Sequence, residues 1–387
     1  MHDTDNHLSR LRVGSLFSGY GGLDLAVEHA FNAQTIWSSE INQPVAELFA
    51  HHWPDAPNLG DITAIDWHQV EPVDILIGGF PCQDVSTAGK KAGLKPGTRS
   101  GLWSHMAQAI DALQPEWVVI ENVRGLLSAT AIRPPTQGDN DEQCNPDLAT
   151  LADATLRDVG PDPWHLADGA ARPLRAMGAV LGDLADLRMS ARWVGIPAAL
   201  IGAPHHRFRV FILAHRQIPH APGLGLAMGR REPGARAGAS GHDRALAPDH
   251  RLGTERAAWL SEQEQRIGDP VAPDRATLRR WGRYGPAIAR WQHITGRQAP
   301  APALLNQTEG PRPAPAFVEW LMGLPEGWVT DPQHSQLTNS QQITALGNGV
   351  LPLQAVRAID SFRGESGQIS PDIRSAWKPC NLSNADM

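Results

Sequence analysis

The sequence predicts an α/β protein built on a doubly wound, mostly parallel sheet, with a second, smaller and irregular domain. Short apolar runs of strand length alternate with helical segments, which is typical of such a sheet. The first run, residues 12–17, leads through a glycine-rich turn into a helix at 23–30, the order that opens nucleotide-binding folds. The 387 residues suffice for one large domain and a smaller one.

The remaining elements follow from the same pattern. Further strands are predicted over 34–39, 73–80, 117–120 and 207–214, with a helix over 101–113. Three stretches interrupt the alternation: a loop at 84–103, a polar and Pro-rich insertion from 128 to about 168, and the segment from Arg216 to Arg312. The composition after Gly364 predicts a disordered tail.

The charge is unevenly distributed. The whole chain has a formal charge of −7, but the segment from Arg216 to Arg312 has 15 Arg, no Lys and 9 acids, which gives +6 there and −13 elsewhere. Two explanations fit a basic segment inside an acidic protein: a surface that faces nucleic acid, or a general arginine bias of the genome.

The cysteines and the hydropathy exclude several classes of protein. Cys82, Cys144 and Cys380 are far apart and lack metal-ligand spacing, so neither a disulfide framework nor a structural zinc site is expected. The pairs at 51–52 and 205–206 are histidines without a third ligand, so no metal site is predicted. The polar N-terminus and the absence of an apolar run of about 20 residues predict a cytoplasmic protein that does not enter a membrane.

One cysteine follows a buried strand directly. The apolar run 73–80 ends in Pro81 and Cys82, and the next strand ends in Glu121. A lone cysteine is usually a small buried hydrophobe. Here, however, the carboxyl ends of parallel strands meet at one crevice, so the thiol and the carboxylate would converge. This arrangement predicts covalent catalysis assisted by an acid.

A second group of residues predicts a cofactor pocket. The glycines of residues 17–22 let the backbone approach a ligand at a helix N-terminus. Glu40 follows at a strand end, where an acid can accept the two hydroxyls of a ribose, and Asp61 can take the amino group of an adenine. Each residue alone also fits a turn or a solvated carboxylate. Together they predict an adenosine-bearing cofactor.

These residues resemble the cytosine-5 DNA methyltransferase family. The resemblance follows family order: the glycine motif at 17–22, the acids Glu40 and Asp61, Pro81-Cys82-Gln83, Glu121-Asn122-Val123, the block His205-His206-Arg207-Phe208-Arg209, a ninth block at 312–328 with Gly323-Leu324-Pro325, and Gly347-Asn348-Gly349-Val350. Histidine stands at 205 where the family motif has glutamine. Single blocks are weak signals, but their shared order is specific.

The resemblance implies a reaction and roles for the site residues. The cofactor would be S-adenosylmethionine, Cys82 would attack carbon 6 of cytosine, and Glu121 would hold ring nitrogen 3 and the exocyclic amine. Arg207 would hold the base carbonyl, supported by Arg209. The expected cofactor-binding residues are Phe17, Ser18, Gly19, Gly21, Gly22, Leu23, Glu40, Ile41, Asp61, Ile62, Pro81, Asn348, Gly349 and Val350. The block from Gly347 to Ile359 would fold back beside the glycine motif.

The resemblance also implies the partners. Duplex DNA would bind through Lys90, Lys91, Lys95 and Arg99 of the loop, and the segment 216–312 holds the position of the family's target-recognition domain. The expected domains are 1–215 (catalytic), 216–337 (recognition, with the ninth block), 338–362 (returning to the catalytic domain) and 363–387 (a disordered tail). We expect a monomer, with a cognate restriction endonuclease as a candidate partner. A tRNA cytosine-5 methyltransferase and a catalytically inactive DNA-binding regulator remain alternatives.

Overall fold

The strands of the protein form one large sheet and two small ones. The computed structural model describes residues 10–81, 101–133, 172–217, 250–306 and 310–363. The strands are β1 (Leu11–Leu16), β2 (Ala33–Ser39), β3 (Ile75–Gly78), β4 (Trp117–Val123), β5 (Thr130–Arg133), β6 (Arg172–Arg175), β7 (Met189–Pro197), β8 (Phe208–Arg216), β9 (Ala303–Asn306) and β10 (Gly310–Pro313). The large sheet has the order β2-β1-β3-β4-β8-β7.

Helices cover both faces of this sheet. They are α1 (Gly22–Phe31), α2 (Gln43–His52), α3 (Leu102–Leu113), α4 (Ala176–Asp186), α5 (His250–Gln265), α6 (Arg275–Trp281), α7 (Gly285–Thr295), α8 (Pro315–Leu321), α9 (Asn339–Asn348) and α10 (Pro352–Arg363). No helix in the described ranges combines the length and the apolar character that a membrane crossing requires.

The first four strands of the large sheet are parallel, and the last two are not. Strand β1 pairs in parallel with β2 on one side and β3 on the other, and β4 continues the parallel order. Because the chain leaves β1 in opposite directions for β2 and β3, a crevice opens at the carboxyl ends of these strands. Strand β8 is antiparallel to both β4 and β7. For β7 and β8 this follows from their short connection, because the ten residues 198–207 are too few for a parallel crossover.

The strand side chains alternate between two apolar cores. Ile75 and Ile77 of β3 pack with α1, α2 and α10 on one face, whereas Leu76 between them packs with α3 and α4 on the other. Val119 likewise belongs to the first core, and Val118 to the second. This period of two, with both faces covered, explains why the strands read as nearly continuous apolar runs in the sequence.

The mostly parallel, doubly wound fold class is confirmed, and the predicted strands match to within a few residues. The sequence reading missed β7, α4 and the helices between 250 and 295. It was also wrong to treat the whole stretch 128–168 as irregular, because Thr130–Arg133 pairs antiparallel with Arg172–Arg175. The rest of that stretch and the tail after Gly364 lie outside the described residues.

The described half of the basic segment packs directly on helices α1 and α10. Leu260 of α5 and Trp291 of α7 are buried in the same apolar core as α1 and α10. His29 Nε2 of α1 lies 2.6 Å from Glu264 Oε2 of α5. The indole of Trp291 also donates to the carbonyl oxygen of Trp320 at 2.8 Å. Residues 250–295 are therefore anchored on the same core as the sheet.

Candidate active site

A cavity of about 680 Å³ opens at the carboxyl ends of the parallel strands. Residues at the carboxyl ends of β1, β2, β3 and β4 and residues of α9 form its wall. The lining includes Ser15, Phe17, Ser18, Gly19, Gly22, Leu23, Asp24, Glu40, Ile41, Asp61, Ile62, Gly79, Phe80, Pro81, Glu121, Asn122, Arg209, Gln341, Thr344, Gly347, Asn348, Gly349 and Val350. The cavity therefore lies at the crevice that the strand order creates.

The glycine motif forms a tight turn after β1. Phe17 has a φ of 55° and Gly19 a φ of 56°, both in the left-handed region. The amide of Phe17 donates to the carbonyl oxygen of Ser39 at 2.8 Å, which holds this strained residue against β2. A Cβ on Gly22 would lie 2.1 Å from the carbonyl oxygen of Val350. Glycine is required there because the C-terminal block approaches so closely.

Gly21 has a different neighbour. Its φ is 82°, and a Cβ there would lie 2.2 Å from the Trp53 ring. Gly21 is not among the residues that line the cavity. Its role is therefore to let the turn pack on Trp53 where α1 begins, while Gly19 and Gly22 border the cavity.

Glu40 extends from the end of β2 to the glycine turn. Its Oε2 accepts the amide of Gly19 at 3.1 Å, and its Oε1 accepts the amide of Asn42 at 2.8 Å. These bonds fix the carboxylate but leave further lone pairs for a ligand. The next residue, Ile41, is 72% exposed although it is a large apolar residue, and it lines the same cavity. An exposed apolar side chain beside a fixed carboxylate suits a flat base next to a ribose.

Asp61 lies on the cavity wall at the end of the loop that follows α2. Its Oδ1 accepts the amide of Thr63 at 2.9 Å and so caps a short helical turn at Ile62. This hydrogen bond lowers the pKa of the Asp61 carboxyl. The side chain is therefore a fixed anion that can accept from an amino group.

The C-terminal block forms the opposite wall. The hydroxyl of the buried Tyr20 donates to the carbonyl oxygen of Val350 at 2.6 Å, and a Cβ on Gly349 would collide with the Tyr20 ring. Arg207 donates to the carbonyl oxygen of Gly347 at 2.7 Å and also to that of Gly349. These contacts place Gly349 and Val350 beside the glycine motif. Arg207 is not among the lining residues, since its guanidinium holds this wall from behind.

Glu121 and Arg209 form a buried pair on the cavity wall. Val123 of β4 is opposite Arg209 of β8, which places Arg209 diagonally across from Glu121 on one face of the sheet. The Nε of Arg209 lies 2.6 Å from Oε1 of Glu121. Burial raises the pKa of the Glu121 carboxyl, and the charges of Arg209 and Arg207 oppose this rise. A buried carboxyl of this kind can hold a proton for a ligand.

Glycine at position 79 makes room for this carboxylate. A Cβ on Gly79 would lie 3.2 Å from Oε2 of Glu121. The next residue of β4, Asn122, donates through Nδ2 to the carbonyl oxygen of Phe80 at 3.1 Å. The amide of Val123 donates to Oδ1 of Asn122 at 2.8 Å, so the Asn122 side chain is fixed at both ends. The Glu-Asn-Val motif thus positions the backbone just before Pro81 and Cys82.

Several predicted site residues lie outside the described ranges. These are Cys82, Gln83 and the loop cations Lys90, Lys91, Lys95 and Arg99. Their predicted roles stay predictions. No group of His, Cys, Asp and Glu residues suited to a metal occurs in the described part of the chain.

The charges of the lining test whether the predicted cofactor suits the cavity. Four carboxylates line it, those of Asp24, Glu40, Asp61 and Glu121, against one described cation, Arg209. An adenosine that carries a positive sulfonium fits this acidic lining and the ribose and base positions described above. The sequence reading missed Asp24 and α9; the helical position of Asp24 in a capped first turn gave no signal of its burial.

Comparison with known proteins finds matches in the N-terminal region. Residues 11–133 match the family model for C-5 cytosine-specific DNA methylase. The chain is similar to the type II methyltransferase M.NgoFVII of Neisseria gonorrhoeae, with 38% identity over 120 residues, which are 30% of this chain and 32% of that protein. It is similar to M1.ScrFI of Lactococcus lactis subsp. cremoris, with 36% identity over 118 residues, 30% of each chain.

The match spans about a third of the length of these curated relatives. Among solved structures, the Dnmt2 methyltransferase of S. pombe has 14% identity and a TM-score of 0.48, covering 90% of this chain and 96% of that one. The residues matched by the family model, 11–133, include the four parallel strands and much of the cavity wall.

Proposed function

We propose that the protein transfers a methyl group from S-adenosylmethionine to carbon 5 of a cytosine flipped out of duplex DNA, through a covalent adduct with Cys82. The observation that carries this proposal is the buried Glu121–Arg209 pair, which lines the cavity beside the Phe80–Pro81 segment. Cys82 follows this segment directly in the sequence. The curated relatives are named as type II methyltransferases, which supports methyl transfer as the reaction.

The chemistry requires these residue types. Carbon 5 of cytosine is a weak nucleophile, and addition of a thiolate to carbon 6 turns it into an enamine-like centre. Glu121, whose pKa is raised by burial, can donate a proton to ring nitrogen 3 as the charge enters the ring. S-adenosylmethionine, when bound, supplies the methyl group. Loss of the carbon 5 proton then lets Cys82 leave by elimination.

Arg207, just before β8, and Arg209 of β8 are proposed to have different roles, one on the cofactor side of the cavity and the other at the base. Arg209 lines the cavity and faces Glu121, so it can both hold that carboxylate and reach the base carbonyl. Arg207 holds the carbonyl oxygens of Gly347 and Gly349, so its contribution is to position the cofactor side of the cavity. The sequence-based role of Arg207 at the base carbonyl stays a prediction.

Duplex DNA is the proposed substrate. A base must leave the stack before its carbon 6 can be reached, which costs a few kcal/mol. The loop cations and the basic segment 216–312 are proposed to supply phosphate and base contacts. In the described part of that segment, Arg275, Arg279, Arg280 and Arg283 form an exposed basic surface, with Arg283 stacked over Tyr284 at 4.9 Å.

The covalent adduct is the sharpest test. Duplex DNA with 5-fluorocytosine at the target site should remain attached to the protein after denaturation when S-adenosylmethionine is present, because fluorine does not leave as a cation. Cys82→Ser should abolish the adduct, since a serine hydroxyl is a far weaker nucleophile. Cys144→Ser is the matched control and should retain it. Methylation of ordinary DNA without any adduct on fluorinated DNA would overturn the covalent mechanism. Methylation of tRNA but not of DNA would overturn the proposal that duplex DNA is the substrate.

A further inference from the structure

Asp24 is a buried carboxylate at the start of α1. The side chain lies in the first turn of the helix and has an exposed fraction of 0%. Its Oδ1 accepts the hydroxyl of Thr35 at 3.2 Å. Its Oδ2 is buried, with no hydrogen-bond partner among the described residues. A buried carboxylate with an unpaired oxygen is costly, so such a group needs an explanation.

Within the described ranges, the groups that face Asp24 supply no positive charge. They are the hydroxyls of Ser15 from β1 and Thr35 from β2, and the carboxylate of Glu28 one turn later on α1. Glu28 itself accepts the amide of Thr35 and the indole N–H of Trp53, both at 2.8 Å. Burial, with a smaller contribution from Glu28, raises the pKa of Asp24 to about 7, and the two hydroxyls oppose this rise. The proton of Asp24 is therefore exchangeable near neutral pH.

Asp24 belongs to the wall of the cofactor cavity. The other charged residues described on that wall are Glu40, Asp61, Glu121 and Arg209. Arg209 is paired with Glu121 at 2.6 Å, so it does not compensate Asp24. A positive charge that enters the cavity would meet an acidic lining. Interactions between charges are stronger inside a protein than in bulk water.

We propose that Asp24 makes the cavity sensitive to the charge of its cofactor: it is protonated in the free protein and ionises when a cationic sulfonium binds, with release of the proton to solvent. This inference rests on the proposed function. S-adenosylhomocysteine lacks the methyl group and the sulfonium charge, so it gives no such ionisation. Asp24 would therefore favour the methyl donor over the spent product, acting as a positioning and selectivity residue of the pocket.

Proton release on binding tests the inference without any turnover. Calorimetric titrations of the full chain at pH 7.0, in buffers of different ionisation enthalpy, should show proton release with S-adenosylmethionine and none with S-adenosylhomocysteine. The affinity for S-adenosylmethionine should rise roughly eightfold from pH 6.0 to 7.5, as expected when a group with a pKa of about 7 must lose its proton. The affinity for S-adenosylhomocysteine should change less than about twofold.

Two variants locate the proton. Asp24→Asn should remove the proton release and the pH dependence of S-adenosylmethionine binding, and it should keep the affinity for S-adenosylhomocysteine. The cofactor's own amino group titrates equally with both proteins, so the difference between wild type and Asp24→Asn reports on Asp24 alone. Glu28→Gln, on the same helix face, should retain the proton release. The wild-type measurement decides the question even where a variant folds poorly.

Equal proton release with both nucleosides, or none with S-adenosylmethionine, would overturn the inference. That result would leave the proposed methyl transfer standing, since the fluorocytosine adduct tests it independently. A protein that binds neither nucleoside would overturn both.

Discussion

Two buried glutamates, Glu319 and Glu121, differ in their hydrogen-bond partners and in their distance from the cavity. Glu319 of α8 accepts the amides of Gly327 and Val329 at 2.8 Å and that of Thr330 at 3.0 Å. Glu121 of β4 has no backbone donor among the described residues and is paired with Arg209 at the cavity wall. Both are buried, and burial raises the pKa of both.

The difference lies in what remains for a ligand. The three amide donors saturate Glu319 and fix the turn from 322 to 330, whose Trp328 indole donates to the carbonyl oxygen of Tyr20 at 2.9 Å. Glu121 instead has no backbone donor in the described part of the chain, so its carboxyl keeps lone pairs beside the cavity. Burial alone therefore does not distinguish the two acids; they differ in the number of local donors and in their position relative to the cavity.

The largest expected effect is on turnover. Glu121→Gln should slow methyl transfer by roughly 10²–10⁴-fold, the usual range for loss of a general acid, while DNA and cofactor affinity stay within a few-fold. Single-turnover kinetics with labelled cofactor would measure this. Glu116→Gln, an exposed acid just before the same strand, is the control and should be neutral. An active Glu121→Gln enzyme would place the acid elsewhere.

Glu319→Gln should act on stability and not on chemistry. The amide group of glutamine would face backbone N–H donors, at a cost of about 1–3 kcal/mol for each donor left unpaired. Denaturant unfolding would show the loss, with Glu326→Gln as the control because Glu326 is exposed in the same turn. If Glu319→Gln kept its stability and lost turnover, Glu319 would act in the chemistry and the comparison with Glu121 would be wrong.

Glu40 lies between these two cases, since it accepts two backbone amides and also lines the cavity. Glu40→Ala should weaken S-adenosylmethionine binding by about 1–3 kcal/mol, because the ribose hydroxyls would lose their acceptor. Isothermal titration calorimetry measures the change. Glu47→Ala, at an exposed position of α2, should bind normally. Equal affinities would remove Glu40 from the site.

The last prediction concerns the pH dependence of stability in the free protein. Asp24 has a folded pKa of about 7, above its ordinary value of 3.8, so the folded state holds this proton more tightly than the unfolded chain. The free energy of unfolding should therefore fall as the pH rises from about 4 to about 7, by at most about 1.4 kcal/mol per unit. Urea unfolding of Asp24→Asn should show a flatter profile. Identical profiles would mean that Asp24 does not titrate in this range.

The sequence alone determined the parallel part of the fold and named many, though not most, of the residues that line the cavity. Strand, glycine turn and helix are local patterns, and residues that follow parallel strands share one edge, so Glu40, Pro81 and Glu121 could be assigned to one crevice before any coordinates. The glycines at 19 and 22 were also readable, because a tight turn at a helix start leaves few alternatives.

Only the tertiary structure decided the partners of the charged groups. Arg207 and Arg209 are two residues apart in the sequence, yet one holds the C-terminal block and the other pairs with Glu121. Three further features depend on residues distant in sequence: the antiparallel placement of β7 and β8, the packing of α5 and α7 on the apolar core of the large sheet, and the burial of Asp24 near β1 and β2. Local periodicity shows that a side chain faces inward, whereas its charge partner is set by which elements the long-range packing brings against it.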